Sequence, residues 1–282
     1  MVVTCILAGP LTGAAAPETP TTNLRDLRLQ AERHTQGESG NFVVYGDGVG
    51  IWNDRVQFRV DEESLKRVLE ALDAAHFQDM PAAFGSGKKW LVRRVSLKSG
   101  GKAKQVVQIL EGEQSAELKA LTDIIFDVLE PLAVNGKTAA NLDDGLTRIA
   151  SGELAPETFH LLIHFKPKSP TAARPGFLFQ IQDGAATLQP YGNSGYGDGV
   201  TVPLAPKRLK ELTSILTSAD VEKLPANLYA EEYSEVVVEV LNHRKSLLAR
   251  QFAGLKPETH GEKQRRFDRL FESLRGVANA ER

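Results

Sequence analysis

Residues 56–84 and 200–228 of this 282-residue chain align without a gap, and that internal match narrows the possible folds more than any other feature. The first segment reads VQFRVDEESLKRVLEALDAAHFQDMPAAF and the second VTVPLAPKRLKELTSILTSADVEKLPANL. Val56 meets Val200, Leu65 meets Leu209, Lys66 meets Lys210, Leu72 meets Leu216 and Pro81 meets Pro225. A match of this length implies one supersecondary unit built twice.

In each segment a short alternating strand (Val56, Phe58, Val60; Val200, Val202, Leu204) runs into a helix start. Asp61 is placed to cap the first helix, with Glu62 and Glu63 in its opening turn, and Pro206 suits the first position of the second. Leu65, Val68, Leu69 and Leu72 then recur at helical spacing, as do Leu209, Leu212, Ile215, Leu216 and Ala219, so each helix has one apolar face that needs a sheet to cover. Met80-Pro81 and Leu224-Pro225 end both runs.

Earlier strands are expected at 27–34 and 42–45 in the first half and at 159–165 and 177–181 in the second, with Asp47-Gly48 and Asp183-Gly184 turning the chain. Hairpins follow the helices, at 91–97 and 105–110 around Ser99-Gly100-Gly101, and at 236–241 and 247–252 around Asn242-His243. Closing helices carry Leu118, Leu121, Ile124, Ile125, Val128 and Leu132 in the first half and Phe267, Leu270, Phe271 and Leu274 in the second. The pentapeptide Tyr45-Gly46-Asp47-Gly48-Val49 recurs as Tyr196-Gly197-Asp198-Gly199-Val200, but the helix register pairs Asp54 with Asp198 instead. We follow the helix, because its face cannot slip without losing burial.

The expectation is an α+β fold made of two diverged copies of a β-β-β-α-β-β-α unit, with antiparallel sheets and helices packed on one face. The copies span 24–133 and 157–282, and 134–156 forms a connector with a short helix near 141–149. Ahead of them lie a truncated signal peptide at 1–16 and a flexible leader at 17–23. The evidence for the signal is an apolar stretch from Val2 to Leu11, then Thr12, Gly13, Ala14, Ala15 and Ala16, with the first charge at Glu18. No Lys or Arg precedes Arg25, which a start placed too far downstream would explain. An apolar strand is the competing reading, and Gly9 and Pro10 suit it poorly. Cys5, the only cysteine, falls inside this stretch, so a cleaved chain would contain no thiol; a lipoprotein signal ending at Cys5 would be only five residues long.

The 34 Lys plus Arg residues against 36 Asp plus Glu provide no global field to hold a polyanion, which argues against a nucleic-acid partner. No apolar run approaches the roughly 18–20 residues that cross a bilayer as a helix, so no transmembrane span is expected. Val44-Tyr45-Gly46-Asp47-Gly48, the Leu-rich helix from Leu65 through Phe77, and Met80-Pro81 together resemble an uncharacterised bacterial exported domain family, with weaker echoes at Asp183-Gly184, Leu209 and Leu224-Pro225. The resemblance implies export and carries over no catalytic residue.

Local motifs for chemistry are weak. His160 and His164 have the spacing of a helical metal pair, with Glu157 one turn earlier, but Phe159 to Phe165 alternates as a strand, which holds the two imidazoles about 13 Å apart at roughly 3.3 Å per residue. Gly85-Ser86-Gly87-Lys88-Lys89 lacks the earlier glycine and the Ser or Thr of a phosphate loop. Gly192-Asn193-Ser194-Gly195 lacks the last glycine of a nucleophile elbow, and Ser99 and Lys102 sit at a hairpin tip. Lys263, Arg265, Arg266 and Arg269 alternate with Glu258, Glu262, Asp268 and Glu272 as a salt-bridged helix surface does. Trp52 and Trp90 read as core or rim packing, or as an aromatic platform for a ligand.

No catalytic, cofactor-binding or metal-binding residue is assigned, and no cofactor is expected. The leading expectation is a non-catalytic interaction or scaffolding module of the bacterial envelope, periplasmic or secreted, with an envelope or extracellular protein or ligand as partner. Two alternatives stand beside it. One is a hydrolase with its site in the groove between the copies, built from scattered residues such as His164, Asp198 and Glu239. The other is a small-ligand-binding module.

Overall fold

The computed structural model describes residues 24–35, 39–85, 92–110, 115–169, 175–192, 194–256 and 258–279. The signal, leader and Cys5 readings, and those made on Ser86 to Leu91 and Asn193, lie outside the described residues.

The first half builds strands β1 (Arg28–His34), β2 (Ser39–Tyr45), β3 (Val49–Trp52) and β4 (Val56–Arg59), helix α1 (Glu62–Ala74), strands β5 (Ala83–Phe84), β6 (Val92–Ser99) and β7 (Lys102–Ile109), and helix α2 (Ala116–Ala133). These strands form one seven-stranded sheet in the order β4-β3-β2-β1-β6-β7-β5. Helix α3 (Leu142–Ala150) follows. The second half builds β8 (Phe159–Lys166), β9 (Gly176–Gln182), β10 (Ala185–Gly192), β11 (Gly195–Tyr196), β12 (Val200–Pro203), α4 (Pro206–Ser218), β13 (Asn227–Tyr229), β14 (Tyr233–Val240), β15 (His243–Arg250) and α5 (Glu262–Asn279). Its sheet runs β11-β10-β9-β8-β14-β15-β13, and β12 also pairs with β10.

The α+β class agrees with the sequence reading, but the sheets are mixed rather than antiparallel. β5 runs parallel to β7, and β13 runs parallel to β15. Both extra strands have two or three residues, too few to show a period of two. β3 escaped notice because Gly50 interrupts its apolar run. A side chain there would enter the Phe58 ring, whose atoms lie 2.4–2.8 Å from the position a Cβ would take. β10 was hidden by Pro190, which argues against a strand. Pro190 is tolerated because its carbonyl faces outward to accept from Gly197 N–H at 2.8 Å, so its missing N–H is withheld from the outer edge and not from β9.

Local chemistry accounts for the ends of the elements. Asp61 Oδ1 accepts from Ser64 N–H at 2.7 Å, and Pro206 starts α4. After each of these helices one residue turns left-handed, His76 (φ 49°) and Asp220 (φ 50°), and a 3-10 turn leads to the proline. Gly100 and Gly101, both at positive φ, make the two-residue hairpin between β6 and β7.

One face of each sheet is covered by helices. Leu29, Ala31, Phe42, Val44, Val95 and Val106 meet Leu65, Val68, Leu72, Leu118, Leu121 and Ile125 in the first half. In the second, Phe159, Phe165, Phe177 and Phe179 are shut from solvent beneath helical residues that include Leu212, Leu216, Phe271 and Leu274. Each such phenylalanine stabilises the fold by about 1.5–3 kcal/mol relative to exposure. Ile124, expected on the buried face of α2, is instead exposed. Helix α3, capped by Asn141, lies with α4 in the second half's layer, where Gly145 lets it approach Val240.

The two halves are joined through the other face of the first sheet. Val43, Tyr45, Val49 and Ile51 belong to the same apolar cluster as the second half's core. Polar contacts reinforce the junction. Tyr45 hydroxyl donates to Asp183 Oδ1 at 2.6 Å, Arg28 Nε lies 3.4 Å from Asp183 Oδ2, and Ala155 N–H donates to Gln57 Oε1 at 2.6 Å. Lys137 and Gln57 exchange backbone hydrogen bonds at the outer edge of β4.

Candidate functional site

Strand alternation divides the second sheet into a helix-facing side and a free side. Leu161, Ile163 and Phe165 of β8 point to the helices, so His160, Leu162, His164 and Lys166 point the other way. In β14, Val236, Val238 and Val240 are buried, leaving Tyr233, Glu235, Val237 and Glu239 on the free face. The antiparallel register sets Lys166 opposite Tyr233, His164 opposite Glu235, Leu162 opposite Val237 and His160 opposite Glu239.

At one end of this face three of the chain's five tyrosines gather around a lysine. Lys166 Nζ stands 5.3, 5.8 and 5.5 Å from the ring centres of Tyr191, Tyr196 and Tyr233, within cation–π range. Among the described residues no carboxylate forms an ion pair with it. Tyr196 hydroxyl lies 2.6 Å from His164 Nε2, and Tyr233 hydroxyl donates to Glu235 Oε2 at 2.7 Å. Glu235 Oε2 is 3.8 Å from His164 Nδ1, beyond hydrogen-bond length. The network assigns the imidazole proton to Nδ1, facing the carboxylate, so that Nε2 accepts from Tyr196.

Burial, with the Lys166 charge adding to it, holds the His164 pKa below that of an ordinary histidine, against the opposing pull of Glu235. Burial and the bond to Glu235 push the Tyr233 phenol up to about 12. Both shifts favour the uncharged form near neutral pH, a neutral His164 imidazole and a protonated Tyr233 phenol. The Tyr196 and Tyr233 hydroxyls are engaged with His164 and Glu235, which holds those two rings in place.

Farther along the same face a depression of about 250 Å³ is lined by His160, Leu162, Gln180, Gln182, Glu239 and Arg244 among others. Gln180 Nε2 donates to Gln182 Oε1 at 2.8 Å, and Arg244 Nε lies 3.9 Å from Glu239.

The first sheet's second face keeps one open end, a polar recess of about 560 Å³. Glu32 Oε2 accepts from Arg94 at 2.6 Å, Glu32 Oε1 lies 3.0 Å from His34 Nε2, and His34 Nδ1 is 2.6 Å from Ser39 Oγ. This row has the order of an acyl-transfer triad, but the imidazole is 40% exposed and Ser39 is exposed as well. Hydration of the ring weakens the electrostatics such chemistry relies on.

The residues singled out in the sequence are dispersed. His160 and His164 share a strand face, about 13 Å apart at roughly 3.3 Å per residue. Glu239 stands opposite His160 rather than His164, and Asp198 lies on the exposed segment between β11 and β12, so the imagined trio is not assembled. Ser99 and Lys102 face each other at the exposed hairpin tip. Arg266 donates to Ala219 C=O at 2.6 Å and pairs with Asp220, tying α5 to α4. Trp52 stacks on Phe42 at 6.0 Å in the first core. Tyr191, Tyr196, Tyr233, Glu235 and Lys166 were missed because they come from four strands. The available signal was polar and aromatic residues at alternate positions in β8 and β14.

A scan against protein-family models and a search of curated proteins found no match to this chain. Among the described residues no helix is long and apolar enough to cross a membrane.

Proposed function

We propose that this is an exported bacterial envelope protein, built from two diverged copies of one α+β unit, that acts as a non-catalytic interaction module through the free face of its second sheet. The observation that carries this reading is the face itself, where three tyrosine rings surround a lysine that, among the described residues, no carboxylate pairs. Duplication is supported by β4, α1, the 3-10 turn and β5 in the first half, whose starting residues recur at one constant offset in β12, α4, the second 3-10 turn and β13. The two strand orders also correspond, once β12 is placed beside β10. The unit is then four strands, a helix, three strands and a helix. Export is supported by the apolar and small-residue stretch before Glu18 and by the family resemblance.

The test is a photo-crosslinking residue in place of Gln180, in cells, combined with fractionation and the mass of the mature chain. An N-terminus between Ala14 and Glu18, an envelope location and a crosslink absent from a control at Lys102 are expected. A full-length cytoplasmic chain, or turnover of an envelope substrate by the purified protein, would overturn the reading.

One observation favours a hydrolase instead, the Glu32, His34, Ser39 row. A fluorophosphonate that labels Ser39, with labelling lost in Ser39→Ala, would establish that second reading; no labelling of the folded chain would remove it.

A further inference from the structure

We infer that Lys166 and the tyrosines around it anchor a single carboxylate-bearing sugar, so that the free face of the second sheet takes a glycan whose one acidic unit sits at that end and whose other sugars are neutral. This rests on the reading of that face as a recognition surface and names what it recognises.

Among the described residues, the ammonium of Lys166 is met by aromatic rings and by no carboxylate. Cation–π contact holds it without neutralising it, and a ligand carboxylate would complete a charge-assisted hydrogen bond. The rings beside it offer a second contact. The axial C–H bonds of a pyranose form an apolar, slightly positive face, which the negative face of a tyrosine attracts. Tyr196 and Tyr233 have their hydroxyls committed to His164 and Glu235, so they are fixed before a ligand arrives.

Beyond the anchor the face carries Gln180, Gln182, His160, Glu239 and Arg244. Amides, a carboxylate, an imidazole and a guanidinium hydrogen-bond well to neighbouring hydroxyls. From Lys166 to His160 is six residue steps, about 20 Å along the strand. An occupant touching both ends is therefore a chain of sugars rather than one.

Other occupants fit less well. Glu235 and Glu239 on the face would repel a nucleic-acid backbone, which carries a phosphate at every step, whereas a glycan with one acid, seated on Lys166, keeps its remaining sugars neutral beside them. A stable protein interface has an apolar centre, whereas the middle of this face offers only the half-buried Leu162 and Val237 amid polar side chains.

The experiment is calorimetric titration of the purified chain with short neutral oligosaccharides that end in a single glucuronate or galacturonate, and with the same oligosaccharides after reduction of that carboxyl to an alcohol. At least one uronate should bind, and its reduced form should bind about tenfold more weakly or worse, the scale of one lost charge-assisted bond. Lys166→Gln should lose the same factor and no longer discriminate, Lys166→Arg should recover most of it, and Tyr191→Ala should weaken both forms alike. Unchanged melting temperatures would exclude misfolding as the cause. Equal binding of acid and alcohol, wild-type affinity in Lys166→Gln, or no binding of any uronate would overturn the inference. The Gln180 crosslink separates the two levels: a captured envelope protein without sugar binding sinks the sugar and keeps the module, whereas neither result sinks both.

Discussion

The second faces of the two sheets met different fates. In the first half, β2 and β3 turn Val43, Tyr45, Val49 and Ile51 away from their own helices and into the core shared with the second half. In the second half, among the described residues, no helix or other sheet packs on the corresponding side of β8 and β14, which carries His164, Lys166, Tyr233 and Glu235. Both faces follow the same alternation, so the strand dictates only that every second residue points away. Covering one face turns those positions into core, and leaving the other bare keeps them available for ligands. At the open end of the first face the residues become polar again, with Glu32 and Arg94 joined across the strands much as His164 and Glu235 face each other in the second.

The largest test places a charge on each face. Ile51→Asp should cost about 3–5 kcal/mol or prevent folding, because the carboxylate would be buried without a partner. Val237→Asp should stay within about 1 kcal/mol, a β-propensity effect at a wet surface. Urea denaturation of both variants would break the comparison if the two losses were alike.

Tyr45→Phe removes the junction hydrogen bond to Asp183 and should cost about 1–2 kcal/mol by the same measurement. A change indistinguishable from zero would mean that the polar contacts at the junction are dispensable and that the apolar cluster alone holds it.

A smaller effect concerns pH. Glu157 sits half-buried at the junction with Oε2 unpaired, and burial, then the nearby charges of Asp47 and Asp183, raise its pKa against the pull of Arg59. A carboxyl with a raised folded pKa contributes stability below its unfolded pKa of about 4.3 and loses it as pH rises through the folded value. Relative to Glu157→Gln, which cannot ionise, the wild type should therefore lose stability from about pH 4 upward. A wild type that gained on the variant over that range would contradict the burial of this carboxylate.

The smallest test reads the free face by NMR. The His164 titration midpoint should fall below the ordinary value of about 6.5, rise in Lys166→Gln and fall further in Glu235→Gln. Because the folded state resists this proton, the stability linked to it is complete above about pH 6.5 and declines as pH falls toward the folded value. A midpoint above 6.5 would place the imidazole in a wetter or more acidic setting than the cluster provides.

Much of the architecture was legible because it is local. Asp61 and Pro206 mark helix starts, Pro81 and Pro225 mark exits, Gly100-Gly101 and Asp183-Gly184 turn hairpins, and the aligned helices keep one apolar face each. β3, β10 and the two- and three-residue strands were not, since Gly50 and Pro190 carry local signals against a strand and β5 and β13 have no period to detect. Of the candidate site, His164 was visible as a residue, but its partners were misassigned. Glu239 shares its strand with Glu235, and only the register of β8 on β14 decides which of the two stands opposite.

By itself, then, the sequence determined the main helices, most of the longer strands with their buried stripes, and the α+β class, because caps, turns and periodicity act over a few residues. Tertiary structure alone decided the parallel edge strands, the burial of Val43, Tyr45, Val49 and Ile51 against the other half, and the gathering of Tyr191, Tyr196 and Tyr233 around Lys166. The physical reason is that alternation fixes which residues share a face, while what covers that face depends on contacts between segments more than a hundred residues apart, such as Tyr45 and Asp183.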